Sequence, residues 1–220
     1  MFYPYHRILR IFLIACPTIF SPLSILADDS DWEHWTGFSI SSTINQSFAF
    51  SFKPETRYIN DCSKHSYSQM EAGLDWKITK WFTLSPCYRH VNERKFSTWT
   101  VEYRPHLNAT FKWKIGQVSF SDRNRLEYRI RGNDENIRYS NKLTITFSAV
   151  SALAIYPYIA FEPFYDFNTS EWNKTRLFAG SDVSLTTQLK VGLYYVLEHR
   201  KKAGVWYHVH VLGTGFSYSF

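Results

Sequence analysis

The sequence predicts an all-β fold: a single antiparallel transmembrane β-barrel of about 10–12 strands, preceded by a cleaved signal peptide. Three observations predict it. Apolar and polar residues alternate over unusually long segments, turn residues recur every 10–16 positions, and the chain is 19% aromatic, with 15 Tyr, 18 Phe and 8 Trp. Aromatic and β-branched residues favour strands and membrane–water interfaces. The mean hydropathy of −0.31 excludes a bundle of membrane helices. It does not exclude a barrel, because half of each strand faces a polar lumen.

The leader comes first. His6, Arg7 and Arg10 precede a largely apolar stretch, Ile11–Ala27, and Asp28-Asp29-Ser30-Asp31 follows. A basic start, an apolar core and a small exit residue make a secretory signal, with cleavage after Ala27. Pro17 and Pro22 argue against an anchor helix. Residues 28–220 then form the barrel domain. Removing residues 1–27 leaves 23 basic against 19 acidic residues, a net +4. No Lys/Arg run supports nucleic-acid binding, since His199-Arg200-Lys201-Lys202 reads as a solvated loop tip. Cys62 falls in an expected loop and Cys87 in mid-strand, too far apart to pair. No Cys/His clustering suggests a metal, and no cofactor motif occurs.

The clearest strand is Trp99–Lys114. Trp99, Val101, Tyr103, Pro105, Leu107, Ala109, Phe111 and Trp113 share one face; Thr100, Glu102, Arg104, His106, Asn108, Thr110, Lys112 and Lys114 share the other. A soluble sandwich rarely needs a strand that long. Val118–Arg131 repeats the pattern, with Arg123, Arg125, Glu127, Arg129 and Arg131 inward. Ile137–Phe147, Leu153–Tyr165, Leu177–Leu185, Leu189–Leu197 and Trp206–Phe220 continue it. Earlier segments are Trp35–Ile44, Phe48–Ile59, Ser68–Ile78 and Phe82–Val91. That makes eleven segments. Bacterial barrels use even numbers, which requires one segment outside the barrel or one more within it. Thr79-Lys80, Ile115-Gly116 and Thr186-Thr187 read as tight periplasmic turns. Asn60–Ser66, Asn92–Phe96, Asn133–Asn136, Asp166–Asn173 and Arg200–Gly204 read as longer outer loops. Trp35, Trp81, Trp99, Trp113, Trp172 and Trp206 fall near strand ends, where an aromatic girdle is expected.

Several motifs carry a family resemblance. They are Met70–Trp81, Asp122–Arg129, Pro157–Phe164, Arg176–Gly180 and the closing His208–Phe220, in that order. Together they resemble the bacterial family labelled domain of unknown function 2490, a group of expected outer-membrane barrels. The resemblance covers most of residues 35–220. It implies an outer-membrane location, outer-membrane lipid as a partner, and recognition of the C-terminal Phe220 by barrel-assembly machinery. It brings no activity.

The inward charges are the candidate site. A lipid-facing Arg or Lys costs roughly 2–4 kcal/mol at the bilayer midplane, so most must face the lumen. The lumen-lining set is Arg89, Glu102, Arg104, Arg123, Arg125, Glu127, Arg129, Arg138, Glu162, Arg176, Asp182 and Lys190. Lys112, Lys114, Lys142, Glu71, Asp75 and Glu198 join it on the same alternation. Two readings stay open. One is a narrow channel for small polar or anionic solutes, lined by the basic excess. The other is a non-conducting barrel, structural or interacting through its surface, whose Arg and Glu side chains interlock. An outer-membrane lipid-modifying enzyme would need a His beside Ser or a carboxylate at the outer rim. His90 falls on an apolar face, His106 stands alone among polar lumen residues, and Gly180-Ser181-Asp182 lies on a strand rather than at a nucleophile elbow. The chain is therefore not expected to be an enzyme.

Overall fold

The computed structural model describes residues 31–95, 97–150, 154–202 and 204–220. The leader, its cleavage point and Leu153 lie outside them. Eleven strands close into a barrel: β1 (Trp32–Thr43), β2 (Phe48–Ile59), β3 (Lys64–Lys77), β4 (Phe82–Lys95), β5 (Thr98–Ile115), β6 (Val118–Arg131), β7 (Asp134–Thr146), β8 (Ile155–Asp166), β9 (Glu171–Ser184), β10 (Leu189–Lys202) and β11 (Val205–Ser219). No helix among the described residues is long and apolar enough to cross a membrane.

Sequence neighbours pair antiparallel, and the barrel closes through a parallel β1–β11 seam running from Trp32↔His210 to Ser41↔Ser219. This corrects the all-antiparallel expectation and settles the parity problem. All eleven segments are barrel strands. With an odd number of up-and-down strands, the first and last run the same way and pair in parallel. The chain therefore enters the barrel at one end, near Asp31, and finishes at the other, near Phe220.

Three turns at the Phe220 end are tight for a repeated local reason, while the β7–β8 connection at the same end, 147–154, is the longest in the barrel. Asn45 Oδ1 accepts from the Ser47 and Phe48 amides, Thr79 Oγ1 from Trp81 and Phe82, and Thr186 Oγ1 from Gln188 and Leu189. Each side chain mimics a backbone turn. The expected long outer loops are shorter than expected too. β3 already begins at Lys64, β7 at Asp134 and β9 at Glu171, while β4 continues to Lys95 and β10 to Lys202. The polar residues there are strand residues, Arg200 among them.

The side chains partition inside out. Outward positions hold exposed Val101, Tyr103, Leu107, Leu126, Ile159, Phe161, Leu177 and Leu193, whereas inward positions bury Glu71, Glu102, Glu127, Glu162, Glu198, Arg104, Arg125 and Arg138. Aromatic rings gather at both ends. Trp76, Trp81, Phe111, Trp113 and Phe120 stack toward the Phe220 end; Tyr58, His65, Trp99, Tyr165 and Trp172 meet toward the other. Trp35 departs from the girdle expectation. It is only 3% exposed and points into the lumen, where its indole N–H donates to Glu33 at 2.7 Å. On the β8–β1 side of the lumen, Trp35, Ala160, Phe178, Val196, Val209 and Val211 form a small apolar core with Tyr158 and Tyr194 against it. Two glycines make room for Tyr194: a Cβ on Gly180 would sit 2.7 Å from the Tyr194 Cβ, and one on Gly213 would collide with its ring.

Candidate functional site

The lumen has two unlike sides. On the β3–β7 side, three buried carboxylates are each clasped by several guanidinium groups. Glu102 accepts from Arg104 at 2.5 Å, Arg129 at 2.6 Å and Arg131 at 2.5 Å. Glu127 accepts from both Arg138 nitrogens at 2.9 and 2.6 Å, and Arg125 lies at 3.4 Å. Glu71 is bound by Arg89, with Lys53 at 3.7 Å and Arg125 at 3.9 Å. Alternation of strands places these groups: they are inward residues of neighbouring strands, set side by side by register, such as Glu127↔Arg138 and Glu71↔Arg89.

A separate network runs along the rest of the wall. Arg123 donates to Glu162 at 2.5 Å, Arg176 reaches Glu162 at 3.7 Å and also binds Glu198, and Arg200 joins Glu198 to Glu33 at 3.0 Å. Cations from this side and from the adjoining β2 and β7 also lie on aromatic faces. Arg57 stacks on Trp35 at 3.8 Å and Tyr67 at 4.3 Å. Lys142 Nζ sits 3.7 Å from the Phe178 ring centre, and Arg138, Lys174 and Arg176 all lie within 5.0 Å of the centre of the Phe164 ring. Among the described residues no carboxylate pairs with Lys142 or Lys174.

Between the two sides lies a cavity of about 690 Å³. Thirteen described Lys and Arg side chains line it against six Glu. Glu102 and Glu198 are ion-paired behind the lining, which still leaves five more cations than carboxylates. Ion-paired charge is neutral at a distance; the excess is what an approaching solute feels.

Of the sequence-derived site residues, Arg89, Arg104, Arg123, Arg125, Glu127, Arg129, Arg138, Glu162 and Arg176 line this cavity. Glu102 is sealed beneath three arginines. Asp182 and Lys190 occupy the inward face of β9 and β10 but lie outside the cavity lining, and Lys190 is exposed. Lys112 and Lys114 carry the inward face of β5 to its exposed end. Sequence reasoning missed Glu33, Lys53, Glu55, Arg57, Lys174 and Arg200. Lys53, Glu55 and Arg57 do alternate, and that period-two charge was the signal available. Arg200 was hidden by reading its segment as a loop, and Lys174 fell between the expected loop Asp166–Asn173 and the expected strand from Leu177.

His106 is not alone, which corrects the sequence expectation. Its Nδ1 lies 3.1 Å from the Arg104 carbonyl, and its Nε2, buried without a hydrogen-bond partner, is 3.5 Å from Glu71. Cys87 completes a group whose ligand atoms lie within 4.8 Å of one another. The donor types suit a thiophilic metal. The surroundings oppose one, because Arg89, Arg125 and Lys53 already neutralise Glu71 and would repel a cation. His90 faces outward beside Tyr103, and the outward His208 packs between His199 and His210. His65 Nε2 lies 2.9 Å from Ser68 Oγ but also 3.1 Å from the Tyr67 carbonyl, so the backbone competes for the nitrogen a catalytic dyad would use. Cys62 and Cys87 are both free thiols.

A family model described as a protein of unknown function, DUF2490, matches residues 32–208. The chain belongs to this family. The match starts on the first residue of β1 and ends within β11, so the DUF2490 region takes in every strand and both sides of the lumen. No curated protein and no solved structure matches the chain.

Proposed function

We propose that this DUF2490 protein is an outer-membrane β-barrel whose cationic lumen gives small anions a narrow path. The observation that carries the reading is the inside-out partition. Large apolar side chains cover the outside, and the inside holds a cavity with thirteen cationic groups against six carboxylates. Water on both faces would penalise the first feature, and an apolar core would not tolerate the second. Aromatic rings at both strand ends suit two membrane–water interfaces. In this reading the end that carries the C-terminal aromatic Phe220 is the periplasmic rim, and Asp31 opens toward the outside. Outer-membrane lipid and the assembly machinery that engages Phe220 are its partners.

A second reading has its own observation. Two ion-pair networks, one from Glu71 through Arg89 to Glu127 and one from Glu162 through Arg176, Glu198 and Arg200 to Glu33, together span much of the wall. If they hold the side chains rigid, the barrel is a non-conducting structural element. Single-channel recording of the refolded mature protein in planar bilayers, across a KCl gradient, separates the two. Small steady conductance with a reversal potential biased toward chloride is expected. A folded but silent barrel, or a cation bias, would overturn the anion path.

A further inference from the structure

We propose that the lumenal cavity is a binding site for an amphipathic organic anion: a phosphate or carboxylate head held by Lys142, Lys174 and Arg176, with an apolar or aromatic body against Trp35, Phe178 and Tyr194. The inference rests on the reading of a cationic lumen, but not on conduction.

Three independent features point to it. The first is charge left over where it is expensive. Lys142 and Lys174 line the cavity with no carboxylate in ion-pair reach among the described residues; Glu162 and Glu198 act on them only from farther off, and the near contacts are the faces of Phe178 and Phe164. A cation–π contact offsets part of the lost hydration, not all of it. Arg138, Lys174 and Arg176 also crowd one Phe164 ring, so three like charges share a small volume. An anion placed there would relieve both penalties. The second is unused donor capacity. Arg123 Nε is buried without a hydrogen-bond partner, while its Nη2 is taken by Glu162. The third is the apolar wall. Trp35, Phe178 and Tyr194 line the same cavity as these cations. A bare inorganic ion would use the charges and leave that wall against water. A volume of about 690 Å³ falls within the usual range for small organic ligands.

Calorimetric titration of the refolded protein in non-ionic detergent tests this with three probes: 1-naphthyl phosphate, inorganic phosphate and neutral 1-naphthol. Naphthyl phosphate should bind at least tenfold more tightly than either of the others. Lys142→Met and Lys174→Met should each weaken it at least tenfold and leave naphthol uptake by the micelles unchanged. Both replacements remove a half-buried charge that has no ion pair, at similar volume, so both variants should fold, as checked by the heat-dependent shift of a folded barrel on gels. Equal affinity for naphthyl and inorganic phosphate would reduce the cavity to a counter-ion site and overturn the proposal. So would the absence of binding, or binding indifferent to both lysines. Anion-selective conductance without naphthyl phosphate binding would sink this inference and spare the path. Tight binding to a silent barrel would do the reverse.

Discussion

The two sides of the lumen solve the burial of charge differently. On the β3–β7 side every buried carboxylate has two or more cationic partners, and Glu102 and Glu127 are each 1% exposed. Their geometry is over-determined by several hydrogen bonds, and removing one member leaves the rest uncompensated. On the β8–β1 side aromatic and aliphatic side chains fill the space, and Lys142 and Lys174 rest on rings with no carboxylate in ion-pair reach among the described residues. The first side acts as a scaffold. The second holds charge in reserve for something that enters the lumen.

The largest test of this contrast is Glu127→Gln. It leaves Arg138, Arg125 and Arg89 without their shared carboxylate and should cost about 3–5 kcal/mol of folding stability, read from urea unfolding in lipid vesicles. Lys142→Met on the other side should stay within about 1 kcal/mol of the parent or exceed it, because it removes an unpaired cation. Equal losses in the two variants would erase the distinction. Next comes Gly213→Val, which drives a side chain into the Tyr194 ring and should cost about 1–3 kcal/mol by overpacking. The same change at Gly215, where a Cβ meets nothing within 4 Å, should be much milder. Trp35→Phe keeps an aromatic face for Arg57 but loses the 2.7 Å bond to Glu33, with an expected cost of about 1 kcal/mol.

The smallest effect concerns the thiols. Cys62 sits in the β2–β3 turn, where partial burial and the nearby Asp31, Asp61 and Glu33 carboxylates push its thiol pKa up. The thiolate is the reactive form, so alkylation at neutral pH should be slower than for a free cysteine and should accelerate only above the ordinary thiol range. Rapid labelling at neutral pH would contradict that environment. Cys87, buried in the lumen wall, should label only after unfolding.

The sequence made the long central strands legible because both solvents act on them at once. From Val101 to Asn108 β5 alternates exposed apolar or aromatic side chains with buried polar ones, a run longer than a soluble sandwich strand usually needs. The lumenal arginines of β6 followed directly. Three things were not legible, each for a physical reason. The parallel seam depends on which strand meets β1 after closure, and no local pattern in Trp32–Thr43 encodes its partner. The strand ends looked like loops because, beyond the apolar outer band, both faces of a strand carry polar residues and alternation disappears; Glu93, Arg94 and Asp134 are such residues. Trp35 looked like a girdle residue because β1 carries aromatic side chains on both faces, Trp32 outward and Trp35 inward, so period two no longer distinguishes lipid from lumen.

The central claim is that Lys142 and Lys174, held on aromatic rings and by no ion pair among the described residues, set the electrical character of the lumen. The most direct measurement compares the reversal potential of the parent barrel with that of a Lys142→Glu, Lys174→Glu double variant in the same KCl gradient. The account predicts a chloride-preferring parent and a variant whose preference is lost or inverted. An unchanged reversal potential in a folded, conducting variant would contradict it.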